Sequence, residues 1–247
     1  MKHQEIKRIV PGAENAVLFI HGICGTPNHF TQAIAMMDWV PEGYSVHNLC
    51  LPGHGKTVAD FAKIPGKQWR CHARKAFCAL AKSHKRVYIV GHSMGTLFAL
   101  ELAAEFPGKI GGLLLLGVPM RPHLTPAVVN SSLRLVLGKL RPGYPEAAIE
   151  TACGVGRTWR LWEYAAWMPR FVDLFAHIAR AEKILGNVSV PVWIFQSKKD
   201  ELVSRLTERV LEKYPFHVEV LEKSTHFYYE EEDAERVRRR FMDMIGR

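Results

Sequence analysis

A short apolar strand that runs through a glycine-flanked turn directly into a helix is the feature that most restricts the fold of this chain. Residues 86–90 read Arg-Val-Tyr-Ile-Val, the turn reads Gly91-His-Ser-Met-Gly95, and residues 96–105 have the pattern of a helix. Side chains in place of Gly91 and Gly95 would collide with the backbone of a neighbouring strand and helix, so the turn must be tight and strained. Such a unit favours a fold in which strands and helices alternate.

The same alternation recurs along the chain. Apolar runs predict further strands at 16–20, 44–49, 112–116, 190–195 and 217–221, and helical periodicity predicts helices at about 67–83, 203–213 and 233–245. This order is typical of βαβ units and of a mainly parallel sheet. A chain of 247 residues suits one large α/β domain, and we expect a single domain over residues 1–247.

The segment 119–187 interrupts the alternation, because it contains no convincing strand and is rich in large aromatic residues. Open α/β sheets bind ligands beside the carboxyl ends of their strands. We therefore expect this segment to form a helical cap over that edge of the sheet. The cap residues predicted to contact a substrate are Trp159, Trp162, Trp167 and Phe171.

The chain is basic, with 33 Lys and Arg residues against 24 Asp and Glu residues and a formal charge of +9. Such a charge can attract anionic substrates or a polyanionic surface. The densest basic cluster, however, shares a stretch with apolar residues at helical spacing, which indicates the solvated face of an amphipathic helix. Its arginines are Arg236, Arg238, Arg239 and Arg240, among Val237, Phe241, Met244 and Ile245. No nucleic-acid-binding motif accompanies them, and we expect no nucleic-acid partner.

Cysteine content and hydrophobic segments bear on the compartment. Five cysteines are an odd number and too few for a disulfide framework, and no CxxC pair indicates a metal or redox site. We interpret them as buried thiols in a reducing environment. No secretory signal is visible, and the most apolar run, at 113–118, is too short to cross a bilayer. We expect a cytoplasmic protein without stable membrane insertion.

The residue at the centre of the turn, Ser93, is the candidate nucleophile. A serine hydroxyl needs a base to accept its proton, and His226 lies in a loop between the last strand and the last helix. In a parallel sheet that loop lies at the same edge as the turn. Asp200 follows the strand at 190–195 and supplies an anionic partner for the imidazole. Glu201 is the rival carboxylate, because it is the next residue in the same loop.

The chemistry also needs two hydrogen-bond donors directed at the oxyanion that forms during acyl transfer. One expected donor is the backbone N–H of Met94, the residue after the nucleophile. The other is the backbone N–H of Ile23, in the loop His21-Gly-Ile-Cys-Gly25 after the first buried strand. His21 and His92 stand close to these groups, and we interpret both as structural hydrogen-bonding residues.

Taken together, these motifs resemble the α/β-hydrolase superfamily, and within it the small microbial carboxylesterases and monoacylglycerol-lipase-like serine esterases. The motifs are His21-Gly-Ile-Cys-Gly25, Leu51-Pro-Gly-His-Gly55, Gly91-His-Ser-Met-Gly95, Asp200 and His226, and they span nearly the whole chain. The resemblance implies a mostly parallel central sheet with helices on both faces and a small helical cap inserted before the acid-bearing strand. It also implies two-step hydrolysis through an acyl-Ser93 intermediate, with no metal and no cofactor.

The expected function is therefore that of a carboxylesterase acting on short- to medium-chain acyl esters or monoacylglycerols, as a monomer or homodimer. A serine nucleophile argues against haloalkane dehalogenase and epoxide hydrolase chemistry, and Met94 stands where proline-releasing peptidases have tryptophan. A thioester, a lactone or a carbon–carbon bond remains an alternative substrate, because pocket shape sets that choice. A non-catalytic ligand receptor on the same fold is the other alternative.

Overall fold

The computed structural model describes residues 3–123, 125, 126, 130, 133, 134 and 145–246. A seven-stranded sheet in the order β1-β3-β2-β4-β5-β6-β7 forms its centre. All neighbouring strands are parallel except β1, which pairs antiparallel with β3 at one edge. The strands are β1 (Ile6–Arg8), β2 (Asn15–Ile20), β3 (Ser45–Asn48), β4 (Arg86–His92), β5 (Ile110–Leu116), β6 (Val192–Ser197) and β7 (His217–Leu221).

Helices cover both faces of this sheet, which explains why its inner strands are apolar on both sides. Ala16, Leu18 and Ile20 of β2 pack on one face against the helices at Gly66–Ser83, Met94–Glu105 and Met168–Ile184, and Val17 and Phe19 pack on the other against the helix at Glu231–Ile245. The α-helices with described bounds are α1 (Val58–Lys63), α2 (Gly66–Ser83), α3 (Met94–Glu105), α4 (Pro145–Ala152), α5 (Met168–Ile184), α6 (Leu206–Leu211) and α7 (Glu231–Ile245).

The strand order places a topological switch point at β2, whose neighbours β3 and β4 lie on opposite sides. Loops that leave the carboxyl ends of strands at such a point diverge and open a crevice. The loop after β2 begins at His21, and the turn after β4 contains Ser93. The fold thus brings the two segments singled out in the sequence to the same edge of the sheet.

The predicted α/β-hydrolase fold, with its mostly parallel sheet and helices on both faces, is confirmed. Short elements were missed, among them a π-helix at His29–Ala33 and a 3-10 helix at Met36–Trp39. For two others the reason can be identified. Strand β1 is a three-residue edge strand with the polar sequence Ile-Lys-Arg, too short for an apolar run. Helix α1 is six residues long and is fixed locally by Thr57, whose side chain and that of Asp60 cap each other's backbone N–H groups.

Between residues 145 and 187 the described backbone is largely helical, with α4 and α5 joined through a 3-10 helix at Leu161–Trp167 and followed by another at Leu185–Asn187. Residues 124, 127–129, 131, 132 and 135–144 of the predicted cap lie outside the described residues. The extent of the cap and the single-domain assignment therefore stay predictions.

Cysteine exposure and the basic cluster can be compared directly with the sequence analysis. All five cysteines are free, but four are half-buried and Cys71 is exposed, so the expectation of buried thiols is wrong. The predicted amphipathic C-terminal helix is confirmed by α7, whose Val237 and Phe241 are buried while Arg238 and Arg240 form ion pairs on its outer side. Among the described residues, no helix combines the length and apolarity needed to cross a membrane.

Candidate active site

Ser93 occupies a strained backbone position between β4 and α3. Its φ of 50° and ψ of −122° lie outside the regions that side-chain-bearing residues normally adopt. The flanking glycines make the turn possible: a Cβ at Gly91 would lie 2.9 Å from the Cα and N of Thr96, and one at Gly95 would overlap the backbone of Ile20. The predicted collision of side chains with helix and strand backbone at these two positions is confirmed.

Two neighbours hold Ser93 in place at the edge of the sheet. Its backbone N–H donates to the carbonyl of Leu116, the last residue of β5, at 2.8 Å. On another side, a Cβ at Gly22 would lie only 2.8 Å from the Cβ of Ser93, so the loop after β2 passes in close contact with this side chain. Ser93 retains 9% exposure.

His226 is buried against His92, the residue before Ser93, with ring centroids 4.7 Å apart, and is held by Asp200. Its Nδ1 donates to Oδ2 of Asp200 at 2.7 Å, and both side chains are at most 2% exposed. The other carboxylate oxygen, Oδ1, accepts the backbone N–H groups of Leu202 and Val203, each at 2.8 Å. Since both oxygens are engaged, the carboxylate cannot rotate freely, and it fixes the imidazole ring in turn.

Glu201, the rival acid, takes a different position. Its Oε2 accepts the backbone N–H of His226 at 3.1 Å, so it holds the loop and leaves the ring nitrogens to other groups. The two adjacent carboxylates thus divide their contacts between the ring and the backbone of one histidine. Of the two, Asp200 is the carboxylate that bonds the imidazole ring.

The electrostatics of His226 suit a proton acceptor. Burial opposes the charged imidazolium, but the facing carboxylate of Asp200, with support from Glu201, raises the pKa of His226 above its usual value. Because Nδ1 carries the proton that Asp200 accepts, Nε2 holds a lone pair. This buried Nε2 has no hydrogen-bond partner among the described residues. The arrangement leaves one nitrogen of a well-oriented imidazole available for a proton from Ser93 or from a substrate.

The two other histidines predicted to be structural make buried hydrogen bonds, as expected. Nε2 of His92 donates to the carbonyl of His226 at 2.9 Å, and burial holds the pKa of His92 well below its usual value. His21 accepts the backbone N–H of Leu51 at Nε2 and donates from Nδ1 to the carbonyl of Gly22. Burial lowers the pKa of His21 to about 4, so this ring is neutral near pH 7.

The candidate oxyanion donors belong to the two segments that meet at Ser93, the start of α3 and the loop after β2. Met94 is the first residue of α3, where backbone N–H groups lack partners within the helix and attract negative charge. Ile23 lies in the loop His21–Gly25, which we call the oxyanion loop, and a hydrogen bond from the N–H of Gly25 to the carbonyl of Gly22 closes its turn. Cys24 within that turn has a left-handed backbone with φ of 57°.

A model of the alpha/beta hydrolase family matches residues 17–240. The chain belongs to this family. A curated relative, the pimeloyl-[acyl-carrier protein] methyl ester esterase of Neisseria meningitidis, is 28% identical over 190 residues. The match covers 76% of this chain, which spans about half (52%) of that relative's length.

Solved structures of similar fold include esterases and lipases. A structure of the metagenome-derived lipolytic enzymes LipS and LipT has a TM-score of 0.74 and 21% identity to this α/β hydrolase, covering 100% of this chain and 98% of that one. The monoacylglycerol lipase of Paleococcus ferrophilus has a TM-score of 0.67 and 17% identity, covering 100% and 99%. At these identities the likeness shows the fold, which agrees with the family match.

The aromatic residues predicted to contact a substrate differ in their exposure in this hydrolase. Trp159 and Trp162 are 81% and 61% exposed and pack edge-to-face on each other. Trp167 is half-buried, donates from Nε1 to the carbonyl of Val58 and packs on Phe61, and Phe171 is also half-buried. Within the described part of the chain, no hydrogen bond or ring contact of these four side chains involves Ser93, and their role in substrate binding stays a prediction.

Three residues around His226 were missed in the sequence. Asp233 accepts the backbone N–H groups of Lys223 and Ser224, and Gly117 leaves the space that His226 fills, since a Cβ there would lie 3.1 Å from Cε1 of the ring. His29 stacks on His92 with ring centroids 3.8 Å apart. An acidic residue at the start of a predicted amphipathic helix was a visible signal for Asp233. The roles of Gly117 and His29 depend on packing that the sequence does not show.

Proposed function

We propose that this chain is a serine carboxylesterase in which Ser93 is the nucleophile, His226 the general base and Asp200 the acid that orients it. The observation that carries this proposal is the buried pair of His226 and Asp200 at 2.7 Å, with Nε2 unpartnered beside a strained serine turn. Strained backbone at a polar residue in such a place is typical of catalytic nucleophiles.

In the first half-reaction, Oγ of Ser93 attacks the acyl carbon of the ester while its proton passes to Nε2 of His226. The carbonyl oxygen becomes an oxyanion, which accepts hydrogen bonds from the N–H groups of Ile23 and Met94. The bond to the alcohol oxygen then breaks, and His226 gives its proton to the leaving alkoxide. An acyl-Ser93 ester and a free alcohol result.

The second half-reaction repeats these steps with water as the nucleophile. Nε2 of His226 accepts a proton from water, the resulting hydroxyl attacks the acyl carbon, and a second oxyanion forms in the same hole. Its collapse breaks the bond to Oγ, and the proton returns from His226 to Ser93. The products are a carboxylic acid and the original enzyme, so the cycle requires neither a metal nor a cofactor.

We propose short- to medium-chain acyl esters or monoacylglycerols as the substrate class. The esterase and lipase relatives support an ester, and the curated relative is named for a methyl ester. The large apolar side chains of the segment 159–175 support an apolar acyl group. We further propose a cytoplasmic enzyme, monomeric or dimeric, in which 119–187 forms the cap of a single domain; the free cysteines support a reducing compartment.

The test is hydrolysis of p-nitrophenyl esters from acetate to palmitate, with methyl esters added, by wild type and Ser93→Ala. Because serine, histidine and aspartate act as a unit, we expect the variant to lose at least about 10⁴-fold in kcat. Ser83→Ala, at the end of α2, is the matched control and should retain wild-type activity. A wild type that turns over thioesters or lactones but no ester in the series would reject the carboxylesterase assignment.

A further inference from the structure

Residues 152–156, which lie within the predicted cap, pack directly on the oxyanion loop. The backbone N–H of Gly154 donates to the carbonyl of Cys24 at 3.0 Å, and Cys153 pairs with Gly25 in an antiparallel bridge. The hydroxyl of Thr26 donates to the carbonyl of Ala152 at 3.4 Å. Three consecutive residues of the cap therefore contact three consecutive residues that follow Ile23.

The opposite side of the same loop contacts the nucleophile, since a Cβ at Gly22 would meet the Cβ of Ser93 at 2.8 Å. The oxyanion loop thus lies between Ser93 and the segment 152–156. A turn only four residues long, closed by the bond from Gly25 to Gly22, transmits a shift on one side to the other.

The backbone conformation of Cys24 makes the oxyanion loop dependent on its neighbours. A cysteine with φ of 57° is strained and keeps this conformation only where its surroundings impose it. Its carbonyl accepts the N–H of Gly154, and this hydrogen bond is one of the contacts that impose the conformation.

Only glycine fits at position 154. A Cβ there would overlap the Cγ2 methyl of Thr26, and it would lie 2.9 Å from the Cβ of Thr26 and 3.1 Å from Nδ1 of His3. Gly154 does not have a left-handed φ, so its role is the close approach of two backbones rather than an unusual turn. Any side chain at this position would push the cap segment away from Cys24.

We infer that Gly154 is a positioning residue for the oxyanion hole: the cap holds the strained oxyanion loop through the bond from Gly154 to Cys24, and so holds the Ile23 N–H. This inference rests on the proposed function, because it assigns Ile23 as a donor to the reaction's oxyanion. It adds that a cap residue without any contact to substrate controls the rate of the chemical step.

The experiment compares Gly154→Ala, Thr26→Ser and the double variant. Thr26→Ser keeps the hydroxyl that bonds Ala152 and removes the methyl that a Cβ at position 154 would overlap. Gly156→Ala is the matched control: its Cβ would press on the carbonyl of Lys56 at 3.0 Å, in the same segment but away from Cys24. Far-UV circular dichroism and melting temperatures accompany each variant.

Because loss of one oxyanion donor costs about 10²- to 10³-fold in kcat, we expect a displaced donor in Gly154→Ala to cost about 10- to 100-fold. KM should change less than about threefold, since the interaction acts in the transition state. Affinity for a trifluoromethyl ketone, which forms a tetrahedral adduct on Ser93, should fall in parallel with kcat/KM. Thr26→Ser and Gly156→Ala should resemble wild type. The double variant should regain part of the lost rate, because the methyl overlap is removed while the 2.9 Å contact with the Cβ of residue 26 remains.

Unchanged kcat in Gly154→Ala, an equal loss in Gly156→Ala, or no recovery in the double variant would each overturn the inference while leaving the esterase proposal intact. A wild type without ester turnover would instead reject the proposed function. If Gly154→Ala does not fold, hydrogen exchange in the wild type decides. A phosphonate adduct on Ser93 should slow amide exchange in peptides covering 22–26 and 150–157 together, and protection of 22–26 alone contradicts the coupling.

Discussion

At the scale of single residues, His226 illustrates how two neighbouring acids come to have different roles. Asp200 faces the ring and bonds Nδ1, whereas Glu201 bonds the backbone N–H of the same histidine. Asp200 therefore fixes the ring tautomer and adds most of the favourable charge, and Glu201 adds a smaller favourable charge from further away. The pH dependence of the reaction can separate these contributions.

We predict that kcat/KM falls on the acidic side as His226 becomes protonated, because its Nε2 can then no longer accept a proton from Ser93. Since the pKa of His226 is raised, this limb should lie above pH 6.5 in the wild type. Glu201→Gln removes one favourable charge and should move the limb to lower pH while keeping most of the plateau rate. Asp200→Asn should reduce kcat by about 10⁴-fold, because the asparagine no longer holds the imidazole in the tautomer with its proton on Nδ1.

These two variants are each other's controls in pH–rate profiles measured from pH 5 to 9. If the rate collapses in Glu201→Gln and only the acidic limb shifts in Asp200→Asn, Glu201 and not Asp200 is the carboxylate that bonds the imidazole ring. A limb in the Glu201→Gln profile that moves to higher pH would contradict the favourable charge assigned to Glu201.

The sequence named Asp200 as the partner of the imidazole and Glu201 as its rival, but it could not show which carboxylate faces the ring. Asp200 and Glu201 are adjacent in a loop, so periodicity says nothing about which one faces the histidine. The choice depends on the backbone turn in which Oδ1 of Asp200 bonds the N–H groups of Leu202 and Val203. Ser93 was easier to name as the candidate nucleophile, because the preceding strand, the two flanking glycines and the following helix together define the geometry of its turn.

At the scale of elements, helix α7 positions the loop that carries His226. Asp233 in its first turn is 3% exposed, and its Oδ2 accepts the N–H groups of Lys223 and Ser224 and the hydroxyl of Ser224 at 2.8 to 3.0 Å. A carboxylate with three donors joins the end of β7 to the start of α7. The loop between these two elements contains His226, so its position depends on this junction.

We predict that Asp233→Ala lowers the free energy of unfolding by about 2 to 3 kcal/mol, because it leaves buried N–H groups without an acceptor. It should also lower kcat by about tenfold or more, since the loop of His226 loses its anchor. Asp233→Asn keeps one acceptor and should lose less on both measures. Urea denaturation and ester hydrolysis provide the readouts.

Glu235→Ala is the control for that prediction, because Glu235 lies two residues later on the same helix and forms an exposed ion pair with Arg238. Its stability and kcat should remain near those of the wild type. If both substitutions lower stability and kcat equally, any loss of negative charge from α7 has this effect, and Asp233 does not anchor the loop of His226.

Elements with strong periodicity were predicted well from the sequence, and short or irregular ones were not. The strand expected at 217–221 agrees with β7, and the helix expected at 67–83 differs from α2 by one residue. The turn at Cys153–Gly156 gave no signal, because its contacts with Cys24 and Lys56 are tertiary backbone hydrogen bonds. Periodicity reports which face of an element is buried, but it does not report where an irregular segment lies.

At the scale of the whole molecule, the fold buries several histidines in their neutral form. Burial lowers the pKa of His21 to about 4 and of His29 to about 3, and it lowers those of His54 and His92 well below the usual value. In the unfolded chain these rings take up protons near pH 6.5. Below that pH the unfolded state therefore binds more protons than the folded state, and stability must fall as the pH falls.

The other titrating groups leave a clear pH window for this effect. His226 has a raised pKa and contributes with the opposite sign, but its contribution is complete below pH 6.5 and adds no slope there. Carboxylates such as Glu5, whose pKa is lowered by hydrogen bonds from His47 and His72, contribute only under more acidic conditions. Glu101, whose pKa is raised by burial, opposes the histidines above pH 4.5. It is one carboxyl against four buried histidines, so the histidines set the sign of the pH dependence of stability between pH 6.5 and about 4.5.

We predict that the free energy of unfolding decreases in this window by about 1.4 kcal/mol per pH unit for each buried neutral histidine. His29→Phe should remove one such contribution and make the slope shallower by that amount. It should also raise stability at pH 7, because neither ring nitrogen of His29 has a hydrogen-bond partner among the described residues. His217→Gln, at an exposed position on β7, should leave the slope unchanged. Urea denaturation at half-unit pH steps measures all three chains, and a wild-type stability that stays flat from pH 7 to 5 would show that these rings bind protons in the folded state.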